Sequence, residues 1–340
     1  MRIAVTGSIA TDHLMAFQGR FTDQLLTGSL EKVSLSFLAE ELEIRRGGVA
    51  ANISVGLGRL GLTPLLVGAA GSDFADYQLW LKQNGVDTDS VTVSTTRHTA
   101  RFVCTTDSEQ NQIATFYTGA MSEAREIGLR PLIGRVGRLD MVVVAPNDPA
   151  AMLRHTQECI ALGIPFAADP SQQLAHLGRS DVRELLDHPQ LLFTNEYESV
   201  LLQERTGWTE QQVLGRTDVW VTTLGADGVR IRRAGRRPVT VPAVTGVPVV
   251  DPTGVGDAFR AGFLAGRAWH TSAERAAQLG CALATFALET VGTQEYTLDR
   301  TTLLERVRRA YGPDAADDLA VHLVGDDVGS AHNSGAGDGG

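Results

Sequence analysis

From residue 140 onward, short apolar runs alternate with longer stretches in which apolar residues recur at helical spacing. The runs read MVVVA, PFAAD, LLFTN and VWVTTLG, and the stretches include 149–162, 181–186 and 197–205. Continuous apolar runs are typical of strands buried on both faces, and amphipathic stretches between them fit crossover helices. The pattern therefore predicts an α/β fold, with a doubly wound, mostly parallel sheet and helices on both faces.

The first 120 or so residues are patterned differently, with short strand-like segments around one long helix. Residues 2–7 predict a buried first strand, and the loop that follows it is expected to carry Ser8 and Asp12. Residues 48–60 predict a helix that Gly61 ends. Further strand-like segments cover 14–18, 33–38, 42–46, 98–105 and 111–118. The last two read as a hairpin around the polar turn 107–110. We expect a small β-sheet lid, built from roughly residues 14–46 and 98–118.

The end of the chain has a composition of its own. Residues 325–340 read GDDVGSAHNSGAGDGG and can bury almost no apolar surface. Such a segment predicts a disordered C-terminal tail. The remaining residues, 1–324, are expected to form one domain, with two further helices over 257–268 and 272–289.

Charge limits the classes of partner. The net charge is −10 and the pI is about 5.3, so a long polyanion or an anionic membrane would be repelled. We therefore expect no nucleic-acid and no membrane partner. Lys32 and Lys82 are the lysines of the chain, so a phosphate site would depend on backbone amides and helix N-termini.

The cysteines and the N-terminus indicate the compartment. Cys104, Cys159 and Cys281 form no C-x-x-C pair, which argues against a disulfide framework and a zinc cluster. The opening residues resemble a strand and turn more than a secretion signal, and no apolar stretch approaches the roughly 20 residues of a membrane span. A cytoplasmic location is the expectation.

The run DPTGVGDAF, residues 251–259, carries the most specific chemistry. It follows the apolar segment VPVV, read as a strand, and leads into a helix. Gly254 and Gly256 permit a tight bend, and the amides around Val255 would form an anion hole for a transferring phosphoryl group. Asp257, where the hole meets the helix, could be the general base or only a helix cap.

This run resembles the C-terminal signature of the ribokinase-like (PfkB) carbohydrate kinases, D-T-x-G-A-G-D, from which it departs at Pro252 and Val255. Residues 45–61, RRGGVAANISVGLGRLG, resemble a second signature of the family. The resemblance implies that Gly48 and Asn52 contact sugar hydroxyls and that Asp12, after the first strand, accepts bonds from the ribose. Taken singly, each could equally be ordinary loop or helix structure.

The resemblance also assigns the phosphate-donor side. Asn195 and Glu198, at N-x-x-E spacing, would lie around Mg²⁺ and phosphate, with Glu198 binding the metal through water. Thr223, Gly225 and Gly228 would form the turn under the ATP phosphates and ribose. An acidic surface helix and a simple hairpin are the structural alternatives. The implied cofactors are ATP, Mg²⁺ and K⁺, the last held by carbonyls around residues 292–294.

The acceptor is indicated by aromatic residues and by a closer resemblance. Phe102 and Phe116 lie on the two arms of the predicted hairpin and could stack on a purine or pack the hairpin onto the body. Segments such as GSIATDHLM, HTARFVCTTD and GTQEY resemble the adenosine kinases of actinobacteria. That resemblance implies phosphorylation of adenosine by ATP and a homodimer formed through the lid sheet. It places around the nucleoside Ser8, Asp12, Ser36, Gly48, Asn52, Phe102, Phe116, Gln172, Gln173 and Asn195.

Other classes of protein remain open or are excluded by motif context. A ribokinase or fructokinase of the same fold and a non-catalytic nucleoside-binding protein both fit much of the pattern. The G-x-G-x-x-G run at residues 56–61 lies at the end of a helix, whereas a dinucleotide fingerprint needs a strand before it. A Walker-type kinase is excluded because the chain has no G-K-[ST] tripeptide.

Overall fold

The computed structural model describes residues 1–24 and 36–323. The strands are β1 (Ile3–Thr6), β2 (Ala10–Ala16), β3 (Glu41–Gly47), β4 (Leu65–Ala70), β5 (Asp87–Val93), β6 (Ala100–Thr106), β7 (Gln112–Tyr117), β8 (Met141–Val144), β9 (Phe166–Ala168), β10 (Leu191–Asn195), β11 (Val219–Thr223), β12 (Val229–Arg232) and β13 (Val239–Val241). The α-helices are α1 (Phe21–Gln24), α2 (Val49–Arg59), α3 (Ala75–Gln83), α4 (Leu129–Val136), α5 (Pro149–Leu162), α6 (Arg179–Leu185), α7 (Glu196–Thr206), α8 (Glu210–Leu214), α9 (Val255–Ala268), α10 (Ala273–Leu288), α11 (Arg300–Tyr311) and α12 (Pro313–Leu323). Short 3₁₀ helices cover Gly119–Glu126, Ser171–Ala175 and Gly225–Asp227.

The main sheet is mostly parallel, as predicted. Within the described residues it has nine strands in the order β13-β12-β11-β10-β9-β8-β1-β4-β5. Pairing is parallel from β11 to β5, and β12 and β13 add an antiparallel edge. Ile3 and Val5 of β1 join a core with α2, α9 and α10, whereas Ala4 joins a second core with α5, α6 and α7. Burial on both faces explains why the central strands read as continuous apolar runs.

The connections place the functional loops at one edge of this sheet. Strand β1 lies between β8 and β4, and the chain proceeds from it toward both sides. Loops that follow parallel strands at such a switch point meet outside their carboxyl ends, where open α/β sheets bind ligands. Ser8 follows β1, Asp169 follows β9, and Asn195 ends β10 at this edge.

A separate small sheet is formed by β3-β2-β6-β7. Asp12 is opposite Arg45 on β3 and Phe102 on β6, and Phe102 is opposite Phe116 on β7. Residues directly opposite one another share a face of a sheet, so these four side chains form one row. The prediction that Asp12 lies in a loop was wrong, because β2 begins at Ala10 and includes it.

Three other predictions differ from the structure or fall outside it. Residues 247–250, read as a strand, have no regular structure, because the Val250 and Asp251 amides donate to the Leu288 carbonyl and not to a strand. In the predicted strand 33–38, residues 33–35 lie outside the described residues and 36–38 form no strand. The predicted tail, 325–340, also lies outside the described residues. Among the helices of residues 1–24 and 36–323, none is long and apolar enough to cross a bilayer.

Candidate active site

The glycine bend before α9 presents free amide groups. Gly254 caps the helix with a φ of +77°, a left-handed conformation that favours glycine. The amides of Gly256 and Asp257 have no protein acceptor among the described contacts, and the Val255 amide lies 3.4 Å from the Pro252 carbonyl oxygen. Amides in the first helical turn, with the helix dipole behind them, are suited to hold an anion.

The bend is held against a second segment, residues 292–294. The Asp251 carboxylate accepts hydrogen bonds from the Thr253 amide and the Gly292 amide, each at 2.9 Å. Burial works to raise the pKa of Asp251, but these hydrogen bonds hold it below its ordinary value. A charged Asp251 therefore fixes the bend. The sequence did not predict this role, although Asp251 is the first residue of the signature run.

Asp257 is the third residue of α9, and its carboxylate faces Asn52. Asn52 Nδ2 donates a hydrogen bond of 2.8 Å to Asp257 Oδ2. Burial raises the pKa of Asp257, while Arg260 and the hydrogen bond from Asn52 act in the opposite direction. A partly desolvated carboxylate beside free amides can accept a hydroxyl proton next to a bound phosphate.

Asn52 is oriented by a buried polar network. Its Oδ1 accepts a hydrogen bond of 2.7 Å from Nε2 of Gln294, a fully buried side chain. Gln294 Nε2 also donates to Tyr77 Oη, and its Oε1 accepts from Trp80 Nε1. With Oδ1 occupied in this way, Nδ2 of Asn52 is directed at Asp257. The predicted sugar contact of Asn52 can use only the second hydrogen of Nδ2.

A cleft of about 750 Å³ opens beside the bend. An apolar part is lined by Val244, Val247, Val249, Ala284 and Leu288. The other part contains every residue that was predicted for the phosphate-donor side, namely Asn195, Glu198, Thr223, Gly225 and Gly228. Val255 and Gly256 of the bend also line it. The volume and the apolar lining suit a nucleotide-sized ligand.

Asn195 and Glu198 have a structural reason for their spacing. They form a capping box at the start of α7, in which Asn195 Oδ1 accepts from the Glu198 amide and Glu198 Oε2 accepts from the Asn195 amide, both at 2.7 Å. Glu198 Oε1 remains 3.3 Å from Ser171 Oγ. No cluster of three or more His, Cys, Asp or Glu side chains that could hold a metal occurs among the described residues. One cleft-facing carboxylate fits an Mg²⁺ that keeps most of its waters.

Several residues predicted for the nucleoside make contacts within the protein. Ser8 Oγ accepts a hydrogen bond of 3.0 Å from the Val49 amide, and it thereby caps α2. Gly48 has a φ of +95°, and a side chain there would lie 2.6 Å from the Ser8 carbonyl oxygen. Gln173 Nε2 donates to the Asn147 carbonyl oxygen at 2.8 Å. Gln172 and Ser36 are exposed, and their contacts with a nucleoside stay predictions.

The environment of Asp12 disfavours the charged form of its carboxylate, and this yields a prediction about stability. Burial and the charges of Glu295 and Asp251 raise its pKa to about 6, against the influence of Arg45. A raised pKa means that folding favours the protonated form, so stability is lost as the pH rises toward 6. We expect Asp12→Asn to raise the free energy of unfolding near neutral pH by about 1–3 kcal/mol and to have little effect near pH 4.

Urea unfolding at the two pH values measures this effect. The exposed Asp76→Asn serves as the control for loss of one negative charge. A stability gain for Asp12→Asn that is equal at both pH values would contradict the explanation.

Comparisons with known proteins agree with this geometry. The sequence model of the pfkB family of carbohydrate kinases matches residues 5–300. Nucleoside kinase of Methanothermobacter thermautotrophicus is 30% identical over 275 residues, which are 78% of this chain and 85% of that protein. Nucleoside kinase of Methanocaldococcus jannaschii is 27% identical over 265 residues, 77% of this chain and 85% of that protein. The structure of Burkholderia thailandensis nucleoside kinase in complex with inosine aligns with a TM-score of 0.79 at 30% identity, over 92% of this chain and 98% of the other.

Proposed function

The chain belongs to the pfkB family of carbohydrate kinases, and we propose that within this family it is an adenosine kinase that converts adenosine and ATP to AMP and ADP. The family makes it a kinase, and two relatives at 27 and 30% identity that are nucleoside kinases support a nucleoside as the acceptor. The observation that carries the proposal is the contact between Asn52 and Asp257. It joins the helix of the acceptor side to the bend beside the donor cleft.

The arrangement suits in-line transfer to the 5′-hydroxyl group. The hydroxyl oxygen attacks the γ-phosphorus, and its proton passes to the Asp257 carboxylate. The new O5′–P bond forms as the bond between the γ-phosphorus and the bridging oxygen breaks, and ADP leaves. The amides of Gly256 and Asp257 stabilise the negative charge on the phosphoryl oxygens. Mg²⁺, near Glu198 and Asn195, would neutralise charge on the phosphates of ATP.

Adenosine is proposed because two aromatic side chains lie in the same row as Asp12, the residue predicted to bind the ribose. Phe102 and Phe116 are directly opposite each other on β6 and β7, in the same row as Asp12. Aromatic rings can stack on a purine base, whereas a free sugar offers no such face. Inosine in the Burkholderia complex supports a purine nucleoside. The resemblance to actinobacterial adenosine kinases favours adenosine among them.

The proposal extends to assembly, location and a monovalent ion. The face of the small sheet opposite Asp12 exposes apolar side chains, including Leu42 and Ile44. A second copy of the chain would cover them in the homodimer that we propose. Cys104, Cys159 and Cys281 are free and buried, which is compatible with a reducing cytoplasm. Activation by K⁺ near residues 292–294 is part of the same proposal.

A coupled phosphotransfer assay over nucleosides and free sugars tests the acceptor. We expect adenosine to be phosphorylated with ATP and Mg²⁺ at a kcat/KM at least about tenfold above that of ribose or fructose. A preference for ribose or fructose would identify a sugar kinase of the same fold. Adenosine binding without phosphate transfer from ATP, GTP or CTP would identify a non-catalytic binding protein.

A further inference from the structure

A guanidinium group outside the predicted site lies beside the anion hole. Arg260 follows Asp257 by three positions on α9, so the two side chains project from one side of the helix. The residue is only 7% exposed, yet it lines the cleft. Its guanidinium carbon is 5.9 Å from the centre of the Phe193 ring. Arg260 is therefore packed into the wall of the cleft and is not a surface residue.

Two of the three guanidinium nitrogens are held by one carboxylate. Arg260 Nε lies 2.6 Å from Asp169 Oδ2, and Arg260 Nη2 donates to Asp169 Oδ1 at 2.8 Å. Asp169 is fully buried. The Nη2 hydrogen bond and the close Nε ion pair, which is not aligned as a hydrogen bond, hold the guanidinium group against this carboxylate. The remaining nitrogen, Nη1, thus has a defined position.

Arg260 Nη1 is directed at the glycine bend. It has no hydrogen-bond partner among the described residues, and a β-carbon at Gly256 would lie 2.8 Å from it. The absence of a side chain at Gly256 leaves room for this nitrogen beside the glycine bend. Nη1 carries two N–H groups. They add side-chain donors to a hole that the backbone otherwise forms alone.

The positive charge of the cleft lining comes from Arg260. Among the residues that line the cleft, all within the described part of the chain, Arg260 is the one cation. Burial acts against its charge, but the carboxylates of Asp169, Asp257 and Glu198 outweigh burial and hold the pKa of Arg260 above its ordinary value. The guanidinium group is therefore charged at every pH at which the protein is folded. A phosphate that enters the cleft therefore meets the positive charge of its lining at Arg260.

We propose that Arg260 is a catalytic residue whose Nη1 donates hydrogen bonds to the phosphoryl group during transfer, and that Asp169 is the positioning residue that aims it. The inference rests on the proposed kinase chemistry but not on the identity of the acceptor. Its alternative is that Arg260 only neutralises the buried charge of Asp169. Removal of Arg260 alone would not separate the two, because it leaves that carboxylate unpaired.

The test therefore compares Asp169→Asn, whose amide oxygen can still accept from Arg260 Nη2, with the double variant Asp169→Asn/Arg260→Gln, which differs from it only at Arg260. We expect the double variant to have a kcat about 10–100-fold lower, with adenosine affinity changed by less than about twofold. ADP alone should bind both variants equally. ADP with aluminium fluoride, which mimics the transferring phosphoryl group, should bind the double variant more weakly by a similar factor. Equal kcat values and equal aluminium fluoride binding would overturn the proposal.

A second measurement covers the case in which the double variant does not fold. Arg260→Ala leaves space in the cleft wall, and added guanidinium ion should restore part of its kcat while ammonium ion does not. A folded variant without such rescue would count against a direct contact. The aluminium fluoride measurement needs no turnover, so it tests Arg260 even if adenosine is not the acceptor. Failure of the proposed function would instead appear in the wild-type substrate panel.

Discussion

Asp257→Asn should lower kcat for adenosine by about 10³-fold while the chain folds normally. The amide keeps the shape of the carboxylate and can still contact Asn52, whose Nδ2 lies 2.8 Å from Asp257 Oδ2 in the wild type. It cannot accept the proton of an attacking hydroxyl group at neutral pH. Nucleoside binding should change little, because the loss affects the transition state more than the ground state. Steady-state kinetics with ATP and Mg²⁺, and thermal unfolding, measure the two effects separately.

The pH dependence adds a second readout for the same variant. Asp257 must be deprotonated to act as a base, and burial raises its pKa. Activity of the wild type should therefore fall as the pH decreases through that raised pKa, and this acid limb should be absent from the residual activity of Asp257→Asn. Glu196→Gln, which removes an exposed carboxylate at the start of α7, should retain wild-type kinetics. Wild-type turnover by Asp257→Asn would exclude Asp257 as the base.

The parts of this fold that follow from local pattern were predictable. Continuous apolar runs predicted the strands β8 to β11, because burial on both faces removes the alternation of polar and apolar residues. The glycine bend was predictable for a different reason. Gly254 has a positive φ at the start of a helix, and because few residues other than glycine adopt that conformation, a glycine there indicates the bend. Where an apolar run had another role, the pattern misled. Residues 247–250 read as a strand, but Val247 and Val249 line the cleft.

What could not be predicted depends on contacts between distant segments. Gln294 orients Asn52 from 242 positions away, and no spacing in the sequence indicates this pair. The ion pair of Asp169 and Arg260 joins residues 91 positions apart for the same reason. Arg260 alone had a local signal, because the i,i+3 spacing places it on the side of α9 that carries Asp257. The spacing of Asn195 and Glu198 has the opposite difficulty, because it fits two interpretations. An N-x-x-E pair can form a capping box, as it does here, and the same spacing is expected of a phosphate site.

Gly254→Ala should lower kcat by about 10²-fold, because it displaces the amides that we propose hold the transferring phosphoryl group. A β-carbon at Gly254 would lie 2.8 Å from Cβ and 2.9 Å from Cγ2 of Thr293, contacts that neither backbone segment can relieve without moving. Thr293 Oγ1 in turn lies 3.0 Å from Asn52 Oδ1, so the displacement would also reach the partner of Asp257. Kinetics over a range of ATP concentrations would show the loss mainly in kcat.

The matched control is Gly163→Ala at the end of α5. Gly163 has the same left-handed backbone, with a φ of +64°, and a β-carbon there meets nothing within 4 Å. That variant should lose about 1 kcal/mol of stability from backbone strain and retain wild-type kcat. The difference between the two variants isolates the contact with Thr293 from the cost of the backbone conformation. If Gly254→Ala kept wild-type kcat, the amides at this bend would not be the anion hole.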